Sequence, residues 1–454
     1  MPGPPPASPG PRLRREAATI ARLAGPVVGG QLAITGLGFI DTLMAGRLGP
    51  ETLAAVAVGA SVWASLNMFL LGTLLAVPPF VAQLDGAGRL ERVAPLARQA
   101  AWLALGLGLL LAGAAAAARP LLVALDVQPE IVPLTLGYLH ALAWGIPAYG
   151  LYLALRFLSE GLGATRPVLY FGVLGLPVNA LGNWLLMYGR GGFPELGAVG
   201  CGYATAAVWV AQLVGILLYV VLHPRYRHLG LFSRLEAPHL RRIGEILAVG
   251  APIAVTLFVE VSVFAAVALL MASMGTYQVA GHQVAINFAA MTFMVPLGIS
   301  MAISVRVGNA VGRRDAPGVR FSARVGTGLA LGFQAVAAMV MLLFPRAVAR
   351  LYTSDPRVVA VAAELLVLAA LFQLSDGVQA SAAGALRGVR DTRIPMAIVV
   401  VAYWLIGLPL GWWLAFGLGL GARGLWMGLI AGLTAAAALL AVRFHRVAAR
   451  PLPP

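Results

Sequence analysis

The sequence contains no lysine; all 32 of its basic residues are arginine. A Walker A loop needs a lysine on the phosphates, so a P-loop ATPase is excluded, as is Schiff-base chemistry. The single cysteine, Cys201, excludes disulfide scaffolds, iron–sulfur clusters and cysteine-rich metal centres. No His-Glu-x-x-His motif occurs. Charge itself is scarce: charged residues make up 11% of 454, against about 25% in soluble domains. What is abundant is apolar. Hydrophobic residues are 60% of the chain and the mean hydropathy is +0.87. The longest polar break, 223–242, is about 20 residues, which leaves no room for a soluble catalytic domain. The composition describes an all-α polytopic membrane protein and not an enzyme.

A helix needs about 20 mostly apolar residues to cross the hydrocarbon. Apolar runs between charged or Gly/Pro-rich breaks predict twelve spans: 17–46, 52–83, 93–118, 131–156, 167–189, 196–222, 242–273, 277–305, 321–345, 357–386, 394–417 and 422–443. With connections numbered alternately, 25 of the 32 arginines fall on one side. That bias places both termini in the cytoplasm. It also accounts for the formal net charge of +15 without a nucleic-acid partner. The Pro-rich residues 1–16 read as a disordered tail, and the first apolar run is too long for a cleaved signal. The remaining boundaries are a bundle over 17–222, a linker over 223–241, a second bundle over 242–446 and a tail over 447–454. The expected location is the inner (plasma) membrane, multi-pass.

The two halves echo each other. Pro26, Gly49 and Ala54 recur 226 residues later as Pro252, Gly275 and Ala280. GAGR at 86–89 returns as AVGR at 310–313, GLGATR at 161–166 as GVRDTR at 388–393, and LGAVG at 196–200 as LGARG at 420–424. Six spans per half is an even number, so both copies keep one membrane orientation. They are predicted to form two parallel-repeat six-helix bundles around a central cavity, the layout of alternating-access carriers.

Four carboxylates fall inside predicted spans: Asp41, Glu260, Glu364 and Asp376. Each ionised acid costs about 2.5–3.5 kcal/mol at the bilayer centre. Glu364 is seven residues from Arg357, about 10 Å along a helix, and reads as structural, reaching the outer interface or that arginine. Asp41 lies toward the outer end of its helix, where it either snorkels or forms a site. Glu260 and Asp376 are deep, and no arginine occupies a predicted span centre to neutralise them. A lone buried acid either holds a proton or faces water and binds a cation, so this pair describes uptake of H⁺, Na⁺ or an organic cation. Asn179 and Asn183 share a helix face and either orient Asp41 or act as interhelical glue. Gln283, Asn287, Gln373 and Gln379 carry the same ambiguity. His282 reads as a satisfied core histidine before a proton shuttle. Phe258, Phe264, Phe288 and Phe372 offer cation–π surfaces or simply pack.

The stretches GFIDTLMAGRLG (38–49), PVNALGNWLLMYG (177–189), LFVEVSVFAAVALLM (257–271), VAGHQVAINF (279–288) and FQLSDGVQASAAGALRG (372–388) resemble the multidrug and toxic compound extrusion (MATE) family, in its NorM-like bacterial branch. The resemblance implies a V-shaped pair of six-helix bundles that exports cationic, often aromatic compounds in exchange for Na⁺ or H⁺. It needs no cofactor and functions as a monomer in the bilayer. By motif, Glu260 and Asp376 match the second-lobe cation site, a Na⁺ site in some relatives. Asp41 with Asn179 and Asn183 matches the first-lobe acidic site. Some relatives carry Tyr where this chain has Phe372, which removes one oxygen ligand for Na⁺. The alternatives are a lipid-linked precursor flippase or metabolite exporter of the same architecture. A flippase for a pyrophosphate head requires arginine in the cavity, and none is predicted there. A passive channel is disfavoured by the internal repeat.

Overall fold

The structure, a computed structural model, describes residues 9–234 and 236–451. Residues 1–8 of the expected amino-terminal tail, and the last three residues of the carboxy-terminal one, lie outside the described residues. The helices run in order α1 (Pro9–Leu48), α2 (Pro50–Leu74), α3 (Val77–Gly86), α4 (Val93–Ala116), α5 (Arg119–Ala124), α6 (Ile131–Ala143), α7 (Ile146–Gly161), α8 (Arg166–Leu186) and α9 (Gly197–Leu222). They continue as α10 (Pro224–Arg227), α11 (Leu240–Ser273), α12 (Thr276–Gly312), α13 (Ala316–Leu343), α14 (Pro345–Arg350), α15 (Pro356–Gly388), α16 (Arg393–Val400), α17 (Leu408–Trp412) and α18 (Gly421–Ala448). No strand occurs among the described residues.

Eleven helical stretches are long and apolar enough to cross a membrane, and α6 with α7, bent by 47° at their junction, supplies a twelfth. The predicted count stands. Two expectations shift. Residues 9–16 are helical rather than part of a tail, because Glu16 is anchored. Its carboxylate accepts from Arg306 Nε at 2.9 Å and Nη2 at 2.7 Å, and from Ser322 Oγ at 2.7 Å. The fourth span runs on past Arg156 to Gly161, because Arg156 and Glu160, one turn apart, pair at 2.8 Å inside the protein.

Turn chemistry repeats along with the sequence. Gly49 (φ 132°) and Gly275 (φ 120°) both cap a following helix. Left-handed residues recur at Gly88 and Arg314, at Gly163 and Arg390, and at Gly197 and Gly421. Helix starts are fixed by proline at the first positions, where the missing N–H costs nothing, and by two aspartates in the second half. Asp315 accepts from the Gly318 N–H and Asp355 from the Arg357 N–H, each at 2.8 Å, the usual side-chain answer to unsatisfied helix donors.

The chain divides into two compact units. One is Pro26–Ala254. The other joins the start of α1, up to Gly25, to everything from Val255 onward. The division falls inside α1 and α11, beside Pro26 and Pro252, rather than in the polar linker. Ile20 and Ala24 of α1 accordingly belong to the apolar core built by α11, α12, α13, α15 and α18.

Candidate cation sites in the two units

In the first unit the site rests on a close helix contact. A Cβ at Gly172 would stand 3.2 Å from the Gly30 Cα, so α8 lies against α1 with no side chain between them. That proximity lets short amide side chains cross the gap. Asp41 Oδ1 accepts from Asn179 Nδ2 at 3.0 Å and Asn183 Nδ2 at 2.7 Å, and Asp41 Oδ2 accepts from Thr205 Oγ1 at 3.3 Å. Both asparagines are fully buried and Asp41 is 9% exposed. Cys201 and Tyr138, also buried, lie within electrostatic reach of the carboxylate. Among the described residues no basic side chain hydrogen-bonds or ion-pairs with Asp41. The arrangement is a carboxylate in a cradle of neutral donors, with no fixed cation paired to it among the described residues.

The sequence pointed to Asp41, Asn179 and Asn183, and the structure brings them together. It missed Thr205, Cys201 and Tyr138. Small polar residues in membrane helices are common and mostly bond their own backbone, so no local signal singles them out.

In the second unit Glu260 stands on α11 and Asp376 on α15. Glu260 Oε1 accepts from Gln379 Nε2 at 2.6 Å, and Gln379 Oε1 accepts from the Tyr403 hydroxyl at 2.7 Å. Asp376 sits three residues before Gln379, on the same helix face, and its carboxylate is close enough to repel that of Glu260. Tyr403 was not foreseen. It lies in a seven-residue π-helical stretch, Val401–Gly407, a distortion that recurs at functional positions, and it is the residue that fixes which way Gln379 points.

One expectation about this site is corrected. The spans do contain internal cations. Arg387 lies near the end of α15, donates to Ser300 Oγ at 2.7 Å and is close enough to attract Glu260. Arg156, 1% exposed, is consumed by Glu160 and also donates to Gln31 Oε1 at 3.3 Å. The predicted spans 131–156 and 357–386 end at Arg156 and just before Arg387, because a charge reads as the end of a span. Glu364 pairs with Arg423, at 2.7 Å, and not with Arg357, which lies over the Tyr277 ring at 4.2 Å.

The remaining candidates divide. His282 is buried, and its Nδ1 accepts from Trp426 Nε1 at 3.2 Å. It belongs to an aromatic cluster with Phe372 and Phe264. Gln283 and Asn287 are exposed on the unit and bond each other at 3.3 Å. Gln373 donates to Thr292 and accepts from Gln334, so it packs rather than joining Glu260. Phe258 is 40% exposed. Among the described residues no group of three His, Cys, Asp or Glu side chains could hold a metal ion.

A repeated set of membrane-spanning helices, with the buried Asp41 in one unit and the half-buried Glu260 beside the buried Asp376 in the other, defines a membrane transporter rather than an enzyme. The profile of the MatE family matches this chain twice, over residues 26–185 and 252–413, with starts at Pro26 and Pro252. The chain belongs to that family. It is 45% identical over 98% of its length to "Multidrug resistance protein PmpM" of Pseudomonas aeruginosa, covering 94% of that protein. It is 44% identical over 97% of its length to "Probable multidrug resistance protein NorM" of Xanthomonas campestris pv. campestris, covering 96% of it. Among solved structures, the eukaryotic MATE transporter AtDTX14 superposes with a TM-score of 0.85 at 20% identity, covering 96% of this chain and 98% of that one. A MATE described as being in the straight conformation gives 0.87 at 21%, covering 97% and 98%. At those identities the likeness establishes the fold.

Proposed function

We propose that this protein is a secondary active multidrug efflux antiporter that exports cationic, aromatic compounds in exchange for Na⁺ or H⁺ by alternating access. The observation that carries the reading is the set of neutral hydrogen-bond donors on two of the acids: Asn179, Asn183 and Thr205 on the buried Asp41, and Gln379 on the half-buried Glu260. A carboxylate held by uncharged donors keeps its negative charge available. An inward-moving ion occupying it weakens its hold on a cationic compound, which then leaves outward. The ion shifts the conformational equilibrium only through unequal affinity for the two states.

Glu260 and Asp376 are the pair that would take a sodium ion or share a proton; Asp41 is the corresponding group in the other unit. The relatives named as multidrug resistance proteins support export of many compounds rather than one. The flippase alternative finds no support in the buried arginines, since Arg156 is already neutralised by Glu160. The arginine bias of the loops supports cytoplasmic termini, the bacterial relatives support an inner-membrane location, and the working unit in this reading is the monomer.

The test is ethidium export from proteoliposomes under a Na⁺ gradient or a pH gradient imposed separately. Movement driven by one gradient and lost in Glu260→Gln identifies the coupling ion. Gradient-driven export at the wild-type rate in both Glu260→Gln and Asp376→Asn overturns the site assignment.

A further inference from the structure

A cavity of about 400 Å³ lies in the second unit between α13 and α18, floored by α15. It is separate from Glu260 and Asp376, which do not line it. Its mouth is basic: Arg320 and Arg324, one turn apart on α13, and His445 near the end of α18. Its interior is apolar and made of small side chains. From Arg320 to Leu331 the lining of α13 runs roughly 16 Å along the helix axis, so the groove descends from a helix end well into the span.

Three observations say that this space takes a ligand. Two arginines close by are paired, Arg306 with Glu16 and Arg443 with Asp391, each at 2.7 Å. Arg320 and Arg324, both exposed at the cavity mouth, have no hydrogen bond or ion pair among the described residues. The Ser381 hydroxyl in the floor is fully buried and has no hydrogen-bond partner among the described residues, although buried hydroxyls are normally satisfied. At Gly328 on the wall, an added Cβ would meet nothing within 4 Å, so the groove is open where α13 is exposed.

We propose that this groove binds an anionic phospholipid from the leaflet on the arginine-rich face, which the loop bias assigns to the cytoplasm. The phosphodiester sits between Arg320, Arg324 and His445, and one acyl chain lies along Gly328 and Leu331. Basic pockets between membrane helices recognise anionic headgroups in this way. The apolar interior explains why the ligand is a lipid: a free phosphate would leave a 16 Å groove (roughly eleven residues of helix) empty of anything it can satisfy.

The experiment is native mass spectrometry of the full-length protein titrated with phosphatidylglycerol, with phosphatidylcholine of the same chains, and with soluble glycerol phosphate. The expected result is at least tenfold tighter retention of one phosphatidylglycerol than of phosphatidylcholine. Arg320→Gln/Arg324→Gln abolishes this preference, whereas Arg89→Gln/Arg92→Gln, which removes two charges in the other unit, leaves it intact. Gly328→Phe keeps every charge but fills the groove, and it is expected to lose the tightly held lipid. Equal retention of both lipids by the wild type overturns the proposal, as does unchanged phosphatidylglycerol binding in both Arg320→Gln/Arg324→Gln and Gly328→Phe. Full competition by glycerol phosphate at equal concentration also overturns it, because the groove would then be an anion site without a chain-binding role.

Discussion

Asn183 Nδ2 lies 2.7 Å from Asp41 Oδ1, tying α8 to α1 at the level of the buried acid. The contact depends on two glycines a few turns away, Gly30 and Gly172, which bring the helix backbones together. A hydrogen bond to a charged group is worth about 1.5–3 kcal/mol, so Asn183 contributes much to keeping Asp41 available as an anion. Asn183→Ala removes a competitor for the carboxylate's negative charge. The variant is expected to bind the driving ion about tenfold more tightly and to release it more slowly. Half-maximal driving-ion concentration should therefore fall while maximal ethidium export also falls. An increase in the half-maximal concentration would show that Asn183 helps to bind the ion instead.

Tyr403 acts on Glu260 through Gln379. Its hydroxyl occupies the amide oxygen of Gln379, which leaves the amide NH₂ to face the carboxylate. Tyr403→Phe frees Gln379 to turn its oxygen toward Glu260, replacing an attraction with a repulsion. The expected outcome is a several-fold change in the ion dependence of transport, about 1 kcal/mol, with normal insertion and a loss of thermal stability of about 1–3 kcal/mol where the buried Gln379 oxygen loses its donor. Unchanged ion dependence would mean that Gln379 is oriented by something other than Tyr403.

The span count, the repeat and the positions of Asp41, Glu260 and Asp376 were all legible in the sequence for one reason. An isolated acid or a repeated glycine turn stands out against an apolar background. What stayed hidden involved residues that neutralise one another. Arg156 and Glu160 read as a loop because each is charged; only the fold shows them cancelling inside α7. The role of Tyr403 depends on a π-helical stretch that rotates its ring toward α15, and side-chain periodicity assumes a regular helix. Thr205 and Cys201 are four apart on α9, a spacing identical to that of countless packing residues.

The repeat makes a backbone prediction. Gly88 and Arg314 occupy equivalent turns with φ of 68° and 58°. A side chain in this region costs about 1–2 kcal/mol, which Arg314 tolerates and Gly88 avoids. Nothing lies within 4 Å of a Cβ built at Gly88, so Gly88→Ala tests the backbone alone. It should lower the thermal midpoint of the detergent-solubilised protein by the equivalent of about 1 kcal/mol, partly offset by the lower chain entropy of alanine when unfolded. A rise in the midpoint would show that entropy dominates at this turn.

Arg156 and Glu160 are 1% and 2% exposed, and a pair so deep is costly to break and cheap to replace. Removing one partner leaves an uncompensated buried charge, at about 3–5 kcal/mol. Exchanging both for apolar side chains of similar volume is often neutral or better. Glu160→Gln is therefore expected to reduce the yield of folded protein sharply, since the neutral contacts left to Arg156, the 3.3 Å bond to Gln31 and the Phe157 ring, do not cancel its charge. Arg156→Met/Glu160→Leu should recover most of that loss. Thermal melts of the single and double variants separate the two cases. Recovery of folding together with ethidium export makes the pair structural. Recovery of folding without export would mean that the charges themselves take part in transport, and that the first unit holds a second ionisable element besides Asp41.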